Sequence, residues 1–194
     1  MIGSAISISS LPRPEILVCL ELMKTTGAKH KLKPQRPRAK GAAKSAMPRP
    51  AQPPLSPAQI ALLRGSFSIV EKKAGIAGLV FYRNLFNLAP SLRALFQSDI
   101  ELQGCKFMEA LRFTIATLED PAVLTPVLEA LGRRHVGYGT RDEHYDVVIE
   151  ALMLTLQQSL GPKFTKAAAR AWQLALTYLA DTMKRGARKD FLLG

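Results

Sequence analysis

The sequence predicts an all-α protein, and three observations support this fold class. Apolar residues recur three and four positions apart in long stretches, which is the spacing along one face of an α-helix. No stretch alternates apolar and polar residues between turn signals, as a half-exposed β-strand does. The five prolines after residue 55 lie where we expect helices to begin or break. Together these features predict about seven helices joined by short links.

The first helix is expected to begin at Ser56 and Pro57, because serine followed by proline is a common helix start. Its inward face would carry four apolar residues at helical spacing: Ile60, Leu63, Phe67 and Val70. Gly75 separates this helix from a second one. The second helix is expected to carry three apolar residues: Ile76, Val80 and Leu85.

The middle of the chain predicts a short helical turn followed by a long helix. Pro90 opens the turn, which ends near Phe96. The long helix begins around Asp99 because aspartate is a favourable N-cap. Four residues spaced four apart share one face of it: Gln103, Phe107, Leu111 and Ile115.

Three helices are predicted in the last part of the chain. One runs from Pro121 to His135, with glycines just beyond its end. The next starts near Asp142 and carries on one side Tyr145, Val148, Leu152 and Leu156. Thr165 can cap the final helix. That helix is expected to bury Trp172, Leu176, Leu179 and Met183.

Residues 1–54 are predicted to be a disordered basic tail, and residues 55–194 to form one domain. The tail holds ten Lys and Arg against two acidic residues, whereas the domain holds seventeen against thirteen. The tail is either solvated or an arm that contacts nucleic acid, an anionic membrane or a partner. No aromatic residue is interleaved with its charges, which disfavours stacking on bases. Met23 and Met47 leave open a start further along the chain.

The cysteines and the hydropathy indicate a cytoplasmic protein. Cys19 lies in the tail and Cys105 in the domain, so they suggest neither a disulfide framework nor a zinc site. No apolar run is long enough to span a membrane. The apolar stretch of residues 15–23 includes two glutamates and makes a poor secretory signal.

His135 is the candidate metal ligand among three histidines. His30 lies in the tail, and His144 is expected to be exposed in a polar helical turn. A histidine at the end of an apolar segment is, by itself, more often a partly buried residue than a ligand. Gln103 and Tyr82 on two other helices strengthen the candidate. A haem pocket needs one nitrogen ligand on one side of the iron and hydrogen-bond donors on the other.

Three blocks of the sequence resemble the globin family. Residues 131–135, Leu-Gly-Arg-Arg-His, followed by Gly139 and Tyr145, resemble the globin region around the iron ligand. Residues 85–97 resemble the globin turn that carries a proline and a phenylalanine, here Pro90 and Phe96. Residues 160–172, which include Trp172, resemble the start of the last globin helix. The likeness covers residues 56 to about 187 and is closest to neuroglobin and to flavohaemoglobin-related single-domain bacterial haemoglobins such as Hell's Gate globin.

The resemblance implies a globin fold, with a three-over-three helical sandwich around haem b. His135 would bind the iron, and its other ring N–H would donate to the Leu131 carbonyl. Phe96 would pack flat against the porphyrin. Tyr82 and Gln103 would line the opposite, distal side and stabilise bound O₂.

The resemblance also implies contacts at the rim of the haem. Phe107 would close the distal cavity. Lys106 and Arg134 are expected either to reach a haem propionate or to remain solvated charges. Tyr145 and Val148 would meet the porphyrin edge.

Two departures from the family pattern bear on function. Neuroglobin has a histidine where this chain has Gln103, so the sixth iron position is expected to be open or loosely held. Flavohaemoglobins link the iron-binding histidine to a tyrosine and a glutamate. Tyr145 matches that tyrosine, but Ala187 occupies the glutamate's place in the sequence. Peroxidase-like activation of the iron is therefore not expected.

The implied function is reversible binding of O₂, CO and NO, for oxygen storage or NO detoxification, by a monomer or dimer. An NO dioxygenase activity would require a separate reductase, because the chain contains no glycine-rich dinucleotide-binding motif. An alternative is a haem-based gas sensor or a regulatory module whose basic tail contacts nucleic acid, a membrane or a partner. A haem-free helical bundle is the third interpretation.

Overall fold

The computed structural model describes residues 53–96 and 99–189, which form six α-helices and two short 3₁₀ helices without a strand. The predicted all-α class is confirmed. The α-helices are α1 (Pro57–Glu71), α2 (Ala74–Leu88), α3 (Ile100–Thr117), α4 (Pro121–Gly137), α5 (Asp142–Leu160) and α6 (Lys166–Lys189). The 3₁₀ helices are Pro90–Leu95 and Gly161–Lys163. The tail predicted for residues 1–54 falls almost entirely outside the described residues.

Side-chain caps define the starts of α1, α3 and α6, as predicted at Ser56, Asp99 and Thr165. The Ser56 hydroxyl accepts from the Gln59 N–H at 3.3 Å, and the Gln59 side chain accepts from the Ser56 N–H at 2.8 Å. Asp99 caps α3 by accepting from two backbone N–H groups of its first turn. Thr165 caps α6 by accepting from the Ala168 N–H at 3.2 Å.

Three details of the helix prediction are wrong. Ile76 is 62% exposed, because the buried face of α2 runs through Ala77, Phe81 and Leu85 instead. The helix predicted to stop at His135 continues to the end of α4. Pro126, expected at a break, lies inside α4, so the helix tolerates the loss of one backbone donor.

The core is built where the helices cross, and most of the predicted inward residues lie in it. The predicted apolar residues of α1 are all buried, as are Leu152 and Leu156 of α5. Trp172 of α6 is fully buried and donates its indole N–H to the Ser66 hydroxyl at 2.9 Å, which ties α6 to α1. Met183 is only half-buried. Of the helices in the described ranges, none combines the length and the apolar character that crossing a bilayer requires.

Close helix contacts at glycines set the positions of the site-bearing helices. In α2 and α3, Gly78 faces Gly104, and a Cβ added at Gly78 would lie 2.7 Å from the Gly104 Cα. In α4 and α6, Gly132 lies against the Met183 backbone and Gly186 against the Glu129 backbone. Because glycine has no Cβ, the two backbones of each pair approach directly. The helices that carry Tyr82, Gln103 and His135 are therefore fixed by backbone contact.

Candidate functional site

The predicted site residues lie on four helices and one connecting segment, and the structure gathers most of them into two groups. The aromatic cluster consists of Phe81, Tyr82, Phe86, Phe96 and Phe107. The proximal stack consists of His135, Tyr145 and Lys184. Among the described residues, no ring of one group contacts a ring of the other.

The aromatic cluster joins α2, α3 and the end of the first 3₁₀ helix. The Phe81 and Phe107 rings stack with centroids 4.0 Å apart. The Tyr82 ring meets Phe96 edge-on at 5.2 Å and Phe107 at 6.5 Å. Tyr82 and Phe107, which were predicted for the distal side, thus lie together with Phe96, which was predicted to contact the porphyrin. Phe86 packs against both Tyr82 and Phe96, at 5.8 and 5.6 Å.

Phe96 is held in place by Arg93, which the sequence analysis did not single out. The Arg93 guanidinium donates to the Phe96 carbonyl at 2.7 Å. The same guanidinium lies 5.3 Å from the centroid of the Phe86 ring. Arg93 therefore connects the end of the 3₁₀ helix to α2.

Tyr82 is a polar group in apolar surroundings. Its side chain is buried, with 6% of its surface exposed, and burial raises the pKa of its hydroxyl above the ordinary value. Tyr82 is thus neutral over the ordinary pH range, and its hydroxyl is able to donate a hydrogen bond. Gln103 is half-buried on the neighbouring α3.

The His135 ring is oriented by a hydrogen bond within α4. Its Nδ1 lies 2.9 Å from the Leu131 carbonyl oxygen, the contact that we expected. A carbonyl only accepts, so Nδ1 carries the proton and Nε2 keeps its lone pair. Burial lowers the pKa of His135, the bond to Leu131 offsets this in part, and the charge of Arg134 lowers it further. A neutral imidazole with an accessible lone pair is the form that binds a metal ion.

The Tyr145 ring packs against the His135 imidazole, and Lys184 lies over the Tyr145 ring. The Tyr145 and His135 rings lie 6.3 Å apart, with 27° between their planes. The Lys184 Nζ lies 5.4 Å from the centroid of the Tyr145 ring. Burial, and then the charge of Asp142, raise the pKa of Tyr145. Lys184, which contacts the Tyr145 ring, lies one helical turn before Ala187 on α6.

The other predicted residues are near the site but make less specific contacts. Lys106, Arg134 and Val148 are half-buried, and the Arg134 Nε lies 3.4 Å from the Ala130 carbonyl oxygen. Their roles remain predictions. His144, expected to be exposed, is half-buried, because its ring accepts from the Arg141 backbone N–H at 3.2 Å at the start of α5.

No predicted site residue lines the surface clefts along α5 and α6. One cleft, of about 280 Å³, includes Asp146, Gln173 and Asp181. The other, of about 410 Å³, includes Met153 and Phe164. Within the described ranges, no group of three or more His, Cys, Asp or Glu side chains could hold a metal ion. His135 is thus not part of such a group among the described residues.

Comparison with known proteins connects this arrangement to a family. The model of the globin family matches residues 79–183, which include every predicted site residue. The chain is 31% identical over 133 residues to a flavohemoprotein of Bordetella parapertussis, covering 66% of this chain and 33% of that protein. It is 29% identical over 143 residues to neuroglobin of Danio rerio, covering 66% of this chain and 90% of neuroglobin. The chain thus spans about one third of the length of the flavohemoproteins that it matches.

Solved structures give the same result. An engineered carbene transferase from Rhodothermus marinus, described as a candidate nitric oxide dioxygenase, superimposes with a TM-score of 0.65 and 26% identity. The alignment covers 72% of this chain and 97% of that one. A hexacoordinated heme protein from an anhydrobiotic tardigrade shares the fold with a TM-score of 0.65 at 17% identity, covering 70% of this chain and 97% of that one. The family match, the identities and the helical fold agree, and the chain belongs to the globin family.

Proposed function

We propose that this globin binds haem b through His135 and binds O₂, CO and NO on the distal side. The observation that carries the proposal is the half-buried imidazole with Nδ1 at 2.9 Å from the Leu131 carbonyl oxygen. This hydrogen bond and the lowered pKa favour a neutral ring with its Nε2 lone pair free of a proton. Ferrous haem with one histidine ligand supplies a site for a diatomic gas.

The residues around His135 and Tyr82 suit a flat apolar group with a polar edge. Phe96 would pack against the porphyrin face, and Phe107 would close the distal cavity beside Tyr82. Tyr145 and Val148 would meet the porphyrin edge from α5. Lys106 and Arg134 would reach the propionates, because both are half-buried cations on helices that carry the site.

Tyr82 and Gln103 would determine the gas affinity. The Tyr82 hydroxyl is protonated, so it can donate to a gas that carries partial negative charge. An ordinary hydrogen bond contributes roughly 0.5–1.5 kcal/mol, and more when the acceptor is charged. Two donors would slow O₂ release by about ten- to a hundredfold, since about 1.4 kcal/mol is a factor of ten. CO gains less negative charge and would benefit less.

We further propose that the chain consumes NO when an electron donor is supplied. The relatives named flavohemoprotein and the neighbour described as a candidate nitric oxide dioxygenase support this assignment over simple storage. Conversion of NO and O₂ to nitrate takes up one electron for each NO. We propose that a reductase supplies that electron.

The test is NO consumption by the hemin-reconstituted protein in air-saturated buffer, followed with an NO electrode. With NADH and a flavin-dependent ferric reductase, we expect steady consumption of NO over many turnovers. Without the reductase, we expect one NO per ferrous haem. One NO per haem in both cases would reject the catalytic proposal and leave a gas carrier. Failure of the ferrous protein to bind O₂ or CO would reject the proposal of gas binding.

A further inference from the structure

The proximal stack brings a lysine close to the proposed iron ligand through an aromatic ring. The Lys184 Nζ lies 5.4 Å from the Tyr145 centroid, and the Tyr145 ring lies 6.3 Å from the His135 ring. The Nζ therefore lies within about 12 Å of the imidazole. Because α6 and α4 are in backbone contact at Gly132 and Gly186, this separation is fixed by the helix packing.

The charge of Lys184 lies in a cleft that also includes Asp146 and Asp181, both of them exposed. Its side chain is 18% exposed, so solvent screens it less than it screens a surface lysine. Asp146 is the carboxylate within salt-bridge distance, at 3.9 Å, and its side chain is 80% exposed. Asp142, the other acidic group near Tyr145, is paired with Arg188 at 2.6 Å. The Lys184 ammonium therefore contributes a positive charge on the far side of Tyr145 from His135, opposed at the Tyr145 ring by the charge of Asp142.

We propose that Lys184 is a positioning residue that holds the Tyr145 ring against His135 and raises the reduction potential of the haem iron. This inference rests on the proposed haem binding through His135. A cation is attracted to the face of an aromatic ring, which keeps Tyr145 between Lys184 and the imidazole. The ferric site carries one more positive charge than the ferrous site. A nearby cation therefore favours the ferrous form, which is the form that binds O₂.

The expected size follows from the distance. Two unit charges about 12 to 15 Å apart, which allows for an iron bound beyond the imidazole, change an equilibrium constant roughly six- to tenfold at an effective dielectric constant of about 20. With partial compensation by the nearby carboxylates, we expect a change of about three- to tenfold. A tenfold change in a one-electron equilibrium corresponds to about 59 mV, and a threefold change to about 28 mV.

The experiment is spectroelectrochemical titration of the hemin-reconstituted full chain. Lys184→Met removes the charge and keeps most of the apolar part of the side chain. Lys184→Gln also removes the charge but leaves a polar amide at the end of the side chain. We expect both variants to have lower midpoint potentials, by the equivalent of a three- to tenfold change. Lys184→Arg and Tyr145→Phe should stay near the wild type, because they keep the charge and the ring respectively.

Lys166→Gln is the matched control for net charge. Lys166 begins the same helix and is exposed, about 27 Å along the axis from Lys184. A wild-type potential in both Lys184→Met and Lys184→Gln, with a normal Soret band, would overturn the inference. An equal decrease in Lys166→Gln would also overturn it, since the effect would then be one of net charge. A wild-type protein without a Soret band would reject the proposed function instead.

Discussion

The two sides of the candidate site differ in how they treat polar groups. The aromatic cluster surrounds one buried tyrosine, Tyr82, with four phenylalanine rings. In the proximal stack, by contrast, the polar ring of His135 is oriented by a hydrogen bond to the Leu131 carbonyl and packs against the Tyr145 ring. The aromatic cluster contains a hydrogen-bond donor, the Tyr82 hydroxyl, and the proximal stack fixes the direction of the His135 Nε2 lone pair. The difference matches a site that receives a ligand on one side and holds a cofactor on the other.

The cations on the two sides also differ. Arg93 lies over the Phe86 ring and donates to the Phe96 carbonyl, in an exposed position where solvent screens its charge. Lys184 lies over Tyr145 with 18% of its side chain exposed. Both hold an aromatic ring in place. Because Lys184 is less exposed than Arg93, our proposal assigns an electrostatic effect on the site to Lys184.

The largest expected effect concerns the helix contact behind His135. Gly132→Ala would push a methyl group into the backbone carbonyl of Met183, which cannot move as a flexible side chain can. We expect a loss of about 3 kcal/mol or more in the free energy of unfolding, because rigid overpacking in a core is costly. Urea denaturation followed by circular dichroism measures this loss.

Two other glycines provide the comparison. Gly104→Ala would place a Cβ 3.2 Å from the Gly78 backbone, so α2 and α3 need to separate by only a few tenths of an ångström. Its cost should be smaller than that of Gly132→Ala. Gly65→Ala meets nothing within 4 Å and should stabilise the protein by about 1 kcal/mol through helix propensity. If Gly132→Ala and Gly65→Ala were equally stable, the backbone contact of α4 with α6 at Gly132 would not be rigid, which would contradict our account.

The next largest effect concerns the Tyr82 hydroxyl as a hydrogen-bond donor to bound O₂. Tyr82→Phe keeps the ring contacts with Phe96 and Phe107 but removes the hydroxyl. We expect the O₂ dissociation rate to rise about tenfold or more, and the CO dissociation rate to change less. Stopped-flow mixing of the oxygenated ferrous protein with dithionite measures the first rate. An unchanged O₂ rate would show that Tyr82 does not contact the gas.

The free energy of unfolding at alkaline pH should depend more strongly on Tyr82 than on Tyr145. Burial raises the pKa of Tyr82 above its ordinary value of 10.0, so the folded chain keeps this proton where the unfolded chain loses it. The stability of the folded state is therefore complete below about pH 10 and decreases as the pH rises, by at most about 1.4 kcal/mol per pH unit and group. Tyr82→Phe should flatten this decrease more than Tyr145→Phe. The prediction fails if thermal unfolding from pH 9 to 11 is identical in Tyr82→Phe and wild type.

Local interactions explain why part of the site could be predicted from the sequence. The bond from His135 to Leu131 joins residues four apart in one helix, so helical geometry alone predicts it. The caps at Ser56 and Asp99 are local in the same way. The contact between Tyr82 and Phe86 was also predictable, because the two residues lie one helical turn apart. Only Tyr82 of this pair was predicted as a site residue.

Contacts between distant segments could not be predicted. Ile76 was expected on the apolar side of α2, but the approach of Gly78 to Gly104 sets which face of the helix is buried, and it leaves Ile76 exposed. Lys184 is an unremarkable cation in the sequence. It reaches Tyr145 only because α4, α5 and α6 pack around one another. Pro126 was expected to break a helix that these tertiary contacts keep intact.

The most direct test of haem ligation is the absorption spectrum of the reconstituted protein in ferric, ferrous and ferrous–CO forms, for wild type, His135→Ala and His144→Ala. His144 is the matched control, because it is half-buried and caps α5. Wild type and His144→Ala should share a histidine-ligated ferrous–CO Soret band. His135→Ala should lose that band and regain it with added imidazole. A wild-type set of spectra in His135→Ala would contradict the assignment of His135 as the iron ligand.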